Sequence, residues 1–412
     1  MHLFDYKNGE LYAEHVAVKE LVHEYGTPLY IYSGGTLRRH FQVFDTAFAP
    51  TRHLTCYSVK ANSNLSVLKL LAKEGAGVDI VSGGELFRAL RAGINPQKIV
   101  YSGVGKKETE IREALYAGIL LFNVESRQEL ERINQIAGQE NMTANVSLRI
   151  NPDVDPKTHP YISTGLRTNK FGLSMDKAMQ LYLATKDMPH IRPAGLDCHI
   201  GSQLTEISPF LEALNRLKDF YARLQRHGIA IEYLDLGGGL GITYDQEEPP
   251  HPKEFAQALQ QSLAGMDLTL IFEPGRVIAG NAGILVTEVQ YVKQGAEKTF
   301  VITDAAMNDL IRPALYKAYH RIAPVEQKQG PGAQVDVVGP VCESGDYLAQ
   351  NITLPQMQPK DLLAVFSAGA YGFTMSSQYN SRPRAAEILV DKGQVRVARK
   401  RETYQELIAL EE

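Results

Sequence analysis

Four short stretches of the chain set reactive side chains directly after apolar runs. They are Tyr57-Ser58-Val59-Lys60-Ala61-Asn62, Cys198-His199-Ile200-Gly201-Ser202, Leu236-Gly237-Gly238-Gly239 and Glu273-Pro274-Gly275-Arg276. A lysine amine that follows an apolar strand is partly desolvated, which lowers its pKa and frees it to attack a carbonyl. The alternative is a solvated surface lysine, the commoner fate of that residue type. The glycine run matches neither a P-loop nor a dinucleotide fingerprint, so alone it says only that backbone turns tightly or approaches something closely. Glu273 needs a partner, because a lone buried charge costs several kcal/mol. Arg276 would serve, and a protonated ring nitrogen would serve equally. His199 reads either as a satisfied core histidine or as a flat ring beside a bound group.

Something must bring these strings together. From about residue 54, short runs rich in Val, Ile, Leu and Tyr alternate with segments of helical period, the signature of βα units. Eight such runs end near Val59, Val81, Ser102, Val124, Ile150, Ile200, Leu236 and Glu273. Eight strands separated by helices predict an α/β fold of the closed (β/α)8 type, with its active site at the C-terminal strand ends. Phe210, Leu214, Leu217, Tyr221 and Leu224 recur at helical spacing, with Gly228 as the C-cap. Ser82 and Glu85 have capping-box spacing before a helix that Gly93 closes. The glycine loop after the seventh run and Gly275-Arg276 after the eighth fall where such barrels commonly bind a phosphate.

After residue 276 the texture changes to strands and turns, as in ILVTEVQYV, KTFVIT, QVDVVG and DLLAVFSAG. A hairpin follows, turning at Asp391, Lys392 and Gly393. The organisation expected is a barrel over 29–275 and a C-terminal, mostly β domain over 276–412, with residues 1–28 placed alongside it.

Composition narrows the partners. Lysine and arginine number 43 against 47 acidic residues, for a net charge of −4, and the basic residues are scattered. The footprint of a nucleic-acid binder is missing, which leaves small molecules as the expected partners. Cys56, Cys198 and Cys342 are too few and too far apart for a disulfide framework or a paired-thiolate metal site, so a reducing cytoplasm is expected and no metal. No stretch approaches the ~20 apolar residues of a membrane helix, and the N-terminus lacks the pattern of a signal peptide.

YSVKAN, HIGSQ, DLGGGLG and EPGR, in this order, resemble the fold-type III pyridoxal phosphate enzymes, whose barrels are similar to that of alanine racemase. IRPALY at 311–316, GPVCESGD at 339–346, SAGAYGFTMSSQYNSRPRAAE at 367–387, and HPYISTG at 159–165 followed by KFG at 170–172 are similar to the diaminopimelate decarboxylases within that group. The resemblance implies that Lys60 holds pyridoxal 5'-phosphate as a Schiff base, Glu273 faces the pyridine nitrogen and His199 stacks on the ring. Phosphate would lie against Ser202, Gly238, Gly239, Gly275, Arg276 and Tyr371. Cys342 would be the proton donor, reaching the site from the second subunit of a homodimer.

A thiol of ordinary pKa, about 8.5, is protonated at neutral pH and suits that task. Arg276 and Arg312 offer bidentate partners for a distal carboxylate, Glu343 one for a distal ammonium, and Tyr316 and Tyr371 hydroxyl contacts. The reaction so implied is decarboxylation of meso-2,6-diaminopimelate to L-lysine, the last step of lysine biosynthesis. The alternatives are a decarboxylase of another carboxylated diamine such as carboxynorspermidine, or a non-catalytic pyridoxal phosphate-binding homologue.

Overall fold

Residues 2–155 and 169–411 are described by the structure, a computed structural model, and HPYISTG therefore lies outside the described residues. Contacts divide the chain into two units, one of residues 40–242 and 248–277, the other of 1–39, 243–247 and 278–412. In the first, eight parallel strands close into a barrel: β1 (His53–Ser58), β2 (Gly77–Ile80), β3 (Ile99–Tyr101), β4 (Leu121–Val124), β5 (Ala144–Arg149), β6 (Ile191–Asp197), β7 (Tyr233–Asp235) and β8 (Thr269–Phe272). β8 returns to pair with β1 through Leu270 opposite His53. The strands are apolar on both faces because one face lines the barrel and the other lies under helices.

The covering helix Ser208–Arg226 shows how the sequence makes this layer. Phe210, Ala213, Leu214, Leu217, Phe220 and Leu224 form its buried face, and each large side chain so covered contributes roughly 1.5–3 kcal/mol. Tyr221, expected on that face, is half-buried, and its neighbour Phe220 fills the core. His227 caps the helix, and Gly228 follows with φ +72°, its N–H donating to the Gln225 carbonyl at 2.9 Å. In the helix Gly83–Ala92, Ser82 accepts the Glu85 N–H at 3.2 Å while Glu85 reaches back to the Val81 N–H at 2.8 Å. Gly93 closes this helix in the left-handed conformation.

β6 stops at Asp197, three residues short of the expected Ile200. Cys198 N–H still donates to the Asp235 carbonyl, and the chain then turns to meet the glycine loop, where Leu204 N–H donates to Gly239 O at 2.9 Å. Turning there brings His199 and Ser202 out of the ladder at the barrel's C-terminal end.

In the second unit the sheet runs Tyr347–Leu354, Ala333–Val338, Thr299–Thr303, Gly283–Gln294, Leu29–Ser33, Ala386–Asp391, Gln394–Arg399. Leu29, Ile31, Ile284, Val286, Ala364, Phe366, Ile388 and Val390 form its core. Residues 29–39, expected with the barrel, belong to this unit. Leu29–Ser33 is an inner strand, antiparallel to Gly283–Gln294 and parallel to Ala386–Asp391. Its LYIYS sequence, buried throughout, reads equally well as a barrel strand, and only long-range pairing decides. The expected hairpin forms with Lys392 and Gly393 at φ +53° and +77°, the pattern of a type I′ turn.

Candidate active site

The ends of the eight strands carry polar side chains into the barrel. β1 ends in Ser58, β2 carries Asp79, Ser102 follows β3, β4 carries Asn123, β5 carries Ser147 and Arg149, β6 ends in Asp197, β7 ends in Asp235, and Glu273 follows β8. All are buried. Asn123 is their hub: its amide donates to Ser102 Oγ at 3.1 Å, Asp235 Oδ2 at 3.0 Å and Glu273 Oε1 at 3.3 Å, and its carbonyl oxygen accepts from Ser147. Ser102 also donates to Glu273 Oε1 at 3.2 Å.

Lys60 sits in a single 3-10 turn after β1, its side chain 38% exposed. Its amine pairs with Asp79 Oδ2 and lies 3.3 Å from Ser58 Oγ. Ser58 in turn donates to Asp79 at 2.9 Å, while Asp79 Oδ1 has no hydrogen-bond partner among the described residues. A buried carboxylate with one oxygen unspent and an amine open to the barrel mouth is an arrangement that keeps the amine in place without enclosing it.

Burial pushes the Glu273 carboxyl well above the usual carboxylate range, and the neighbouring Asp235, Asp79 and Asp197 push the same way. His199 is shifted oppositely. Enclosure by protein, then the Arg149 and Lys60 cations, hold its imidazole well below the ordinary range, so the ring is neutral. Gly238 N–H donates to His199 Nδ1 at 3.2 Å, which puts the ring proton on Nε2. Arg149 pairs with Glu125 at 3.3 Å, and its guanidinium lies over the Phe171 ring of the KFG string, whose Gly172 N–H donates to Glu125.

The glycine loop is a close approach. A Cβ on Gly238 would stand 2.3 Å from the Glu273 carbonyl oxygen, and Gly237 has φ +63° with the place of a Cβ 2.5 Å from His199 Nδ1. Arg276, buried beside Gly275, donates from Nη2 to Ser202 Oγ at 3.1 Å. Lys60, His199, Ser202, Gly238, Gly239, Glu273, Gly275 and Arg276 thus gather at one end of the barrel. An attackable amine, a proton-holding acid, a flat neutral ring and a loop that excludes side chains fit pyridoxal phosphate. These residues would hold its aldehyde carbon, ring nitrogen, ring face and phosphate in that order.

The remaining expected residues lie in the second unit. Arg312 opens the short helix Arg312–Tyr316, its Nε donating to His320 Nε2 at 3.2 Å while His320 Nδ1 donates to the Phe366 carbonyl at 2.9 Å. The guanidinium lies over the rings of Tyr244 and Tyr316, at 5.3 and 5.8 Å. Tyr371 adopts φ +55° after the Ala368-Gly369-Ala370 run. Cys342 and Glu343 are exposed on a loop that Asp346 ties down by accepting the Val341 and Met307 N–H groups, each at 2.7 Å.

Asp79, Asn123, Ser102 and Asp235 escaped the sequence reading. Their signal was one polar residue near the end of each apolar run, as in VDIV, LLFNV and YLDL.

A family model described as "Pyridoxal-dependent decarboxylase, pyridoxal binding domain" matches residues 34–280. A diaminopimelate decarboxylase of Vibrio cholerae is 54% identical over 100% of this chain and 99% of its own length. The crystal structure of a Helicobacter pylori diaminopimelate decarboxylase complexed with L-lysine aligns with TM-score 0.93 at 44% identity, covering 95% of this chain and 98% of that one. A diaminopimelate decarboxylase of M. jannaschii in complex with L-lysine aligns with TM-score 0.94 at 40% identity, covering 98% and 96%. Matched by that family model over residues 34–280 and, from end to end, by relatives at about half identity, this chain belongs to the pyridoxal-dependent decarboxylases of the diaminopimelate decarboxylase family.

Proposed function

We propose that this chain removes one carboxyl group of meso-2,6-diaminopimelate, the one at the carbon whose amine meets the cofactor, giving L-lysine and CO2. The observation that carries the reading is the juxtaposition of Lys60, paired with Asp79, with a buried Glu273 and a neutral His199 at the barrel mouth. Bound pyridoxal phosphate supplies the electron sink that lets a carboxyl group leave as CO2.

The protein does the rest. Asp79 and Ser58 hold the Lys60 amine for exchange with the substrate amine. Glu273, steadied by Ser102 and Asn123, holds a proton at the ring nitrogen. His199, fixed by the Gly238 N–H, offers an uncharged face to stack upon. Ser202, Gly238, Gly239, Gly275 and Arg276 receive the phosphate, with Tyr371 as a further partner. Cys342 returns a proton to the substrate carbon, and it does so from the second subunit of a homodimer.

At the substrate's far end, Arg276 and Arg312 receive the carboxylate, Glu343 the ammonium, and Tyr316 and Tyr371 add hydroxyls. A site that hydrogen-bonds both distal groups rejects substrates lacking one, because its own polar groups would then be left unpaired. All three cysteines are free thiols, which suits a cytoplasmic setting. Among the described residues no helix is long and apolar enough to cross a membrane.

The test is CO2 release from meso-diaminopimelate, ornithine, lysine, arginine and carboxynorspermidine in parallel. Turnover of the first, with the others slower by about 10⁴-fold or more, supports the reading. Absence of turnover of the first overturns it.

A further inference from the structure

The Cys342 loop is held from outside as well as from within. Asp346 anchors its base through the Val341 N–H, but the next two residues are held by a different segment. Cys342 N–H donates to Asn380 Oδ1 at 3.0 Å, and the Tyr379 hydroxyl donates to the Glu343 carboxylate. Consecutive residues of one segment therefore hold consecutive residues of the other.

Stability does not explain the arrangement. Tyr379, Asn380, Cys342 and Glu343 are all exposed in the chain, where water competes for each hydrogen bond and its net contribution to stability is small. The segment also carries a cost, since Asn380 and Ser381 are both left-handed, at φ +55° and +53°. Asn tolerates that region better than most residues, and its short side chain then projects an amide oxygen at the loop.

We infer that Asn380 and Tyr379 are positioning residues for the reaction, Asn380 setting the Cys342 thiol for proton delivery and Tyr379 aiming Glu343 at the distal ammonium of the substrate. The inference rests on the reading of Cys342 as proton donor and Glu343 as ammonium partner. The two holds are separable. Loss of the Asn380 acceptor slows proton return without weakening binding, whereas loss of the Tyr379 hydroxyl frees the Glu343 carboxylate and weakens binding.

The test uses the holoenzyme and four variants. Asn380→Gly keeps the left-handed backbone and removes the acceptor oxygen, while Asn380→Asp keeps both. Asn380→Gly is expected to lower kcat by about 10-fold, a fraction of what a general acid supplies, with KM within about 2-fold and a larger solvent deuterium isotope effect on kcat. Its Cys342 alkylation rate by iodoacetamide should change too, the other two thiols being buried. Asn380→Asp should recover most of the lost kcat. Tyr379→Phe should raise KM for meso-diaminopimelate by about 10-fold with kcat nearly kept.

Wild-type kcat and alkylation kinetics in Asn380→Gly, or an equal loss in Asn380→Asp, would overturn the role of Asn380, and an unchanged KM in Tyr379→Phe would overturn that of Tyr379. Cys342→Ala separates the underlying reading. Full activity in that variant would remove the proton-donor assignment itself, whereas an inactive Cys342→Ala beside a fully active Asn380→Gly would overturn only the positioning role.

Discussion

Asp79, Asp197, Asp235 and Glu273 crowd one barrel end with Lys60 and Arg149 as the nearby cations, and the crowding leaves marks that titration can read. Glu273 is held above its ordinary range, first by burial and then by the other three carboxyls, so the folded chain binds its proton more tightly than the unfolded chain does. Such a group stabilises the fold below the unfolded pKa, about 4.5, and loses that contribution as pH rises through the folded value. In cofactor-free protein, Glu273→Gln should therefore raise unfolding free energy by about 0.5–2 kcal/mol near pH 8, with the gain vanishing below about pH 4.5. Urea unfolding at several pH values measures this, and a variant less stable than wild type near pH 8 would contradict it. His199 runs the other way. Burial and the cations Arg149 and Lys60 depress its pKa, so the unfolded chain takes up a proton that the folded chain refuses. Stability should fall as pH drops below about 6.5, and His199→Asn should flatten that fall in Tm.

Gly238, in the loop after β7, packs against the backbone that follows β8, and its lack of a side chain is an element-level requirement. A methyl there would meet the Glu273 carbonyl oxygen at 2.3 Å, and the nearest atoms are all backbone of Glu273 and Pro274, so no flexible side chain can give way. Gly238→Ala should cost about 1–3 kcal/mol by forcing β7 and β8 apart, and should also weaken pyridoxal phosphate binding because the same N–H holds His199. Equilibrium unfolding and cofactor titration would show both losses together, and stability loss with unchanged cofactor affinity would argue against the loop's binding role.

Most of the barrel was legible at this scale because each strand is a short apolar run closed by a polar residue, a local pattern. Strand ends were less so. β6 ends at Asp197 because the chain leaves the ladder to meet the glycine loop, a contact across sequence that no local run announces. The polar ring escaped the sequence reading, because Asp79, Asn123 and Asp235 are single polar positions in apolar runs and only closure of the barrel turns them into one network around Asn123. Leu29–Ser33 shows the same limit, since five buried β-forming residues do not reveal which sheet will take them.

For the whole molecule, the residues proposed for the reaction fall in different units of the chain: Lys60, His199, Glu273 and Arg276 in the barrel, and Arg312, Cys342, Glu343 and Tyr371 in the β-rich unit. The expectation that two chains complete the set came from the resemblance alone, because spacing along a chain carries no information about a neighbour. Exposure of Cys342 and Glu343 in the single chain supports the two-chain reading, since a proton donor needs shelter from water that a second subunit would provide. A symmetric dimer would then hold two equivalent shared sites.

The prediction is a complementation. Lys60→Ala and Cys342→Ala should each be inactive alone, because each homodimer lacks the same group in both of its sites. When the two are unfolded together and refolded, random pairing makes half of the dimers mixed. In a mixed dimer one site carries both defects and the other carries neither, so the mixture should regain roughly one quarter of wild-type activity. Recovery at the background of the separate variants would mean that Lys60 and Cys342 of one site come from the same chain.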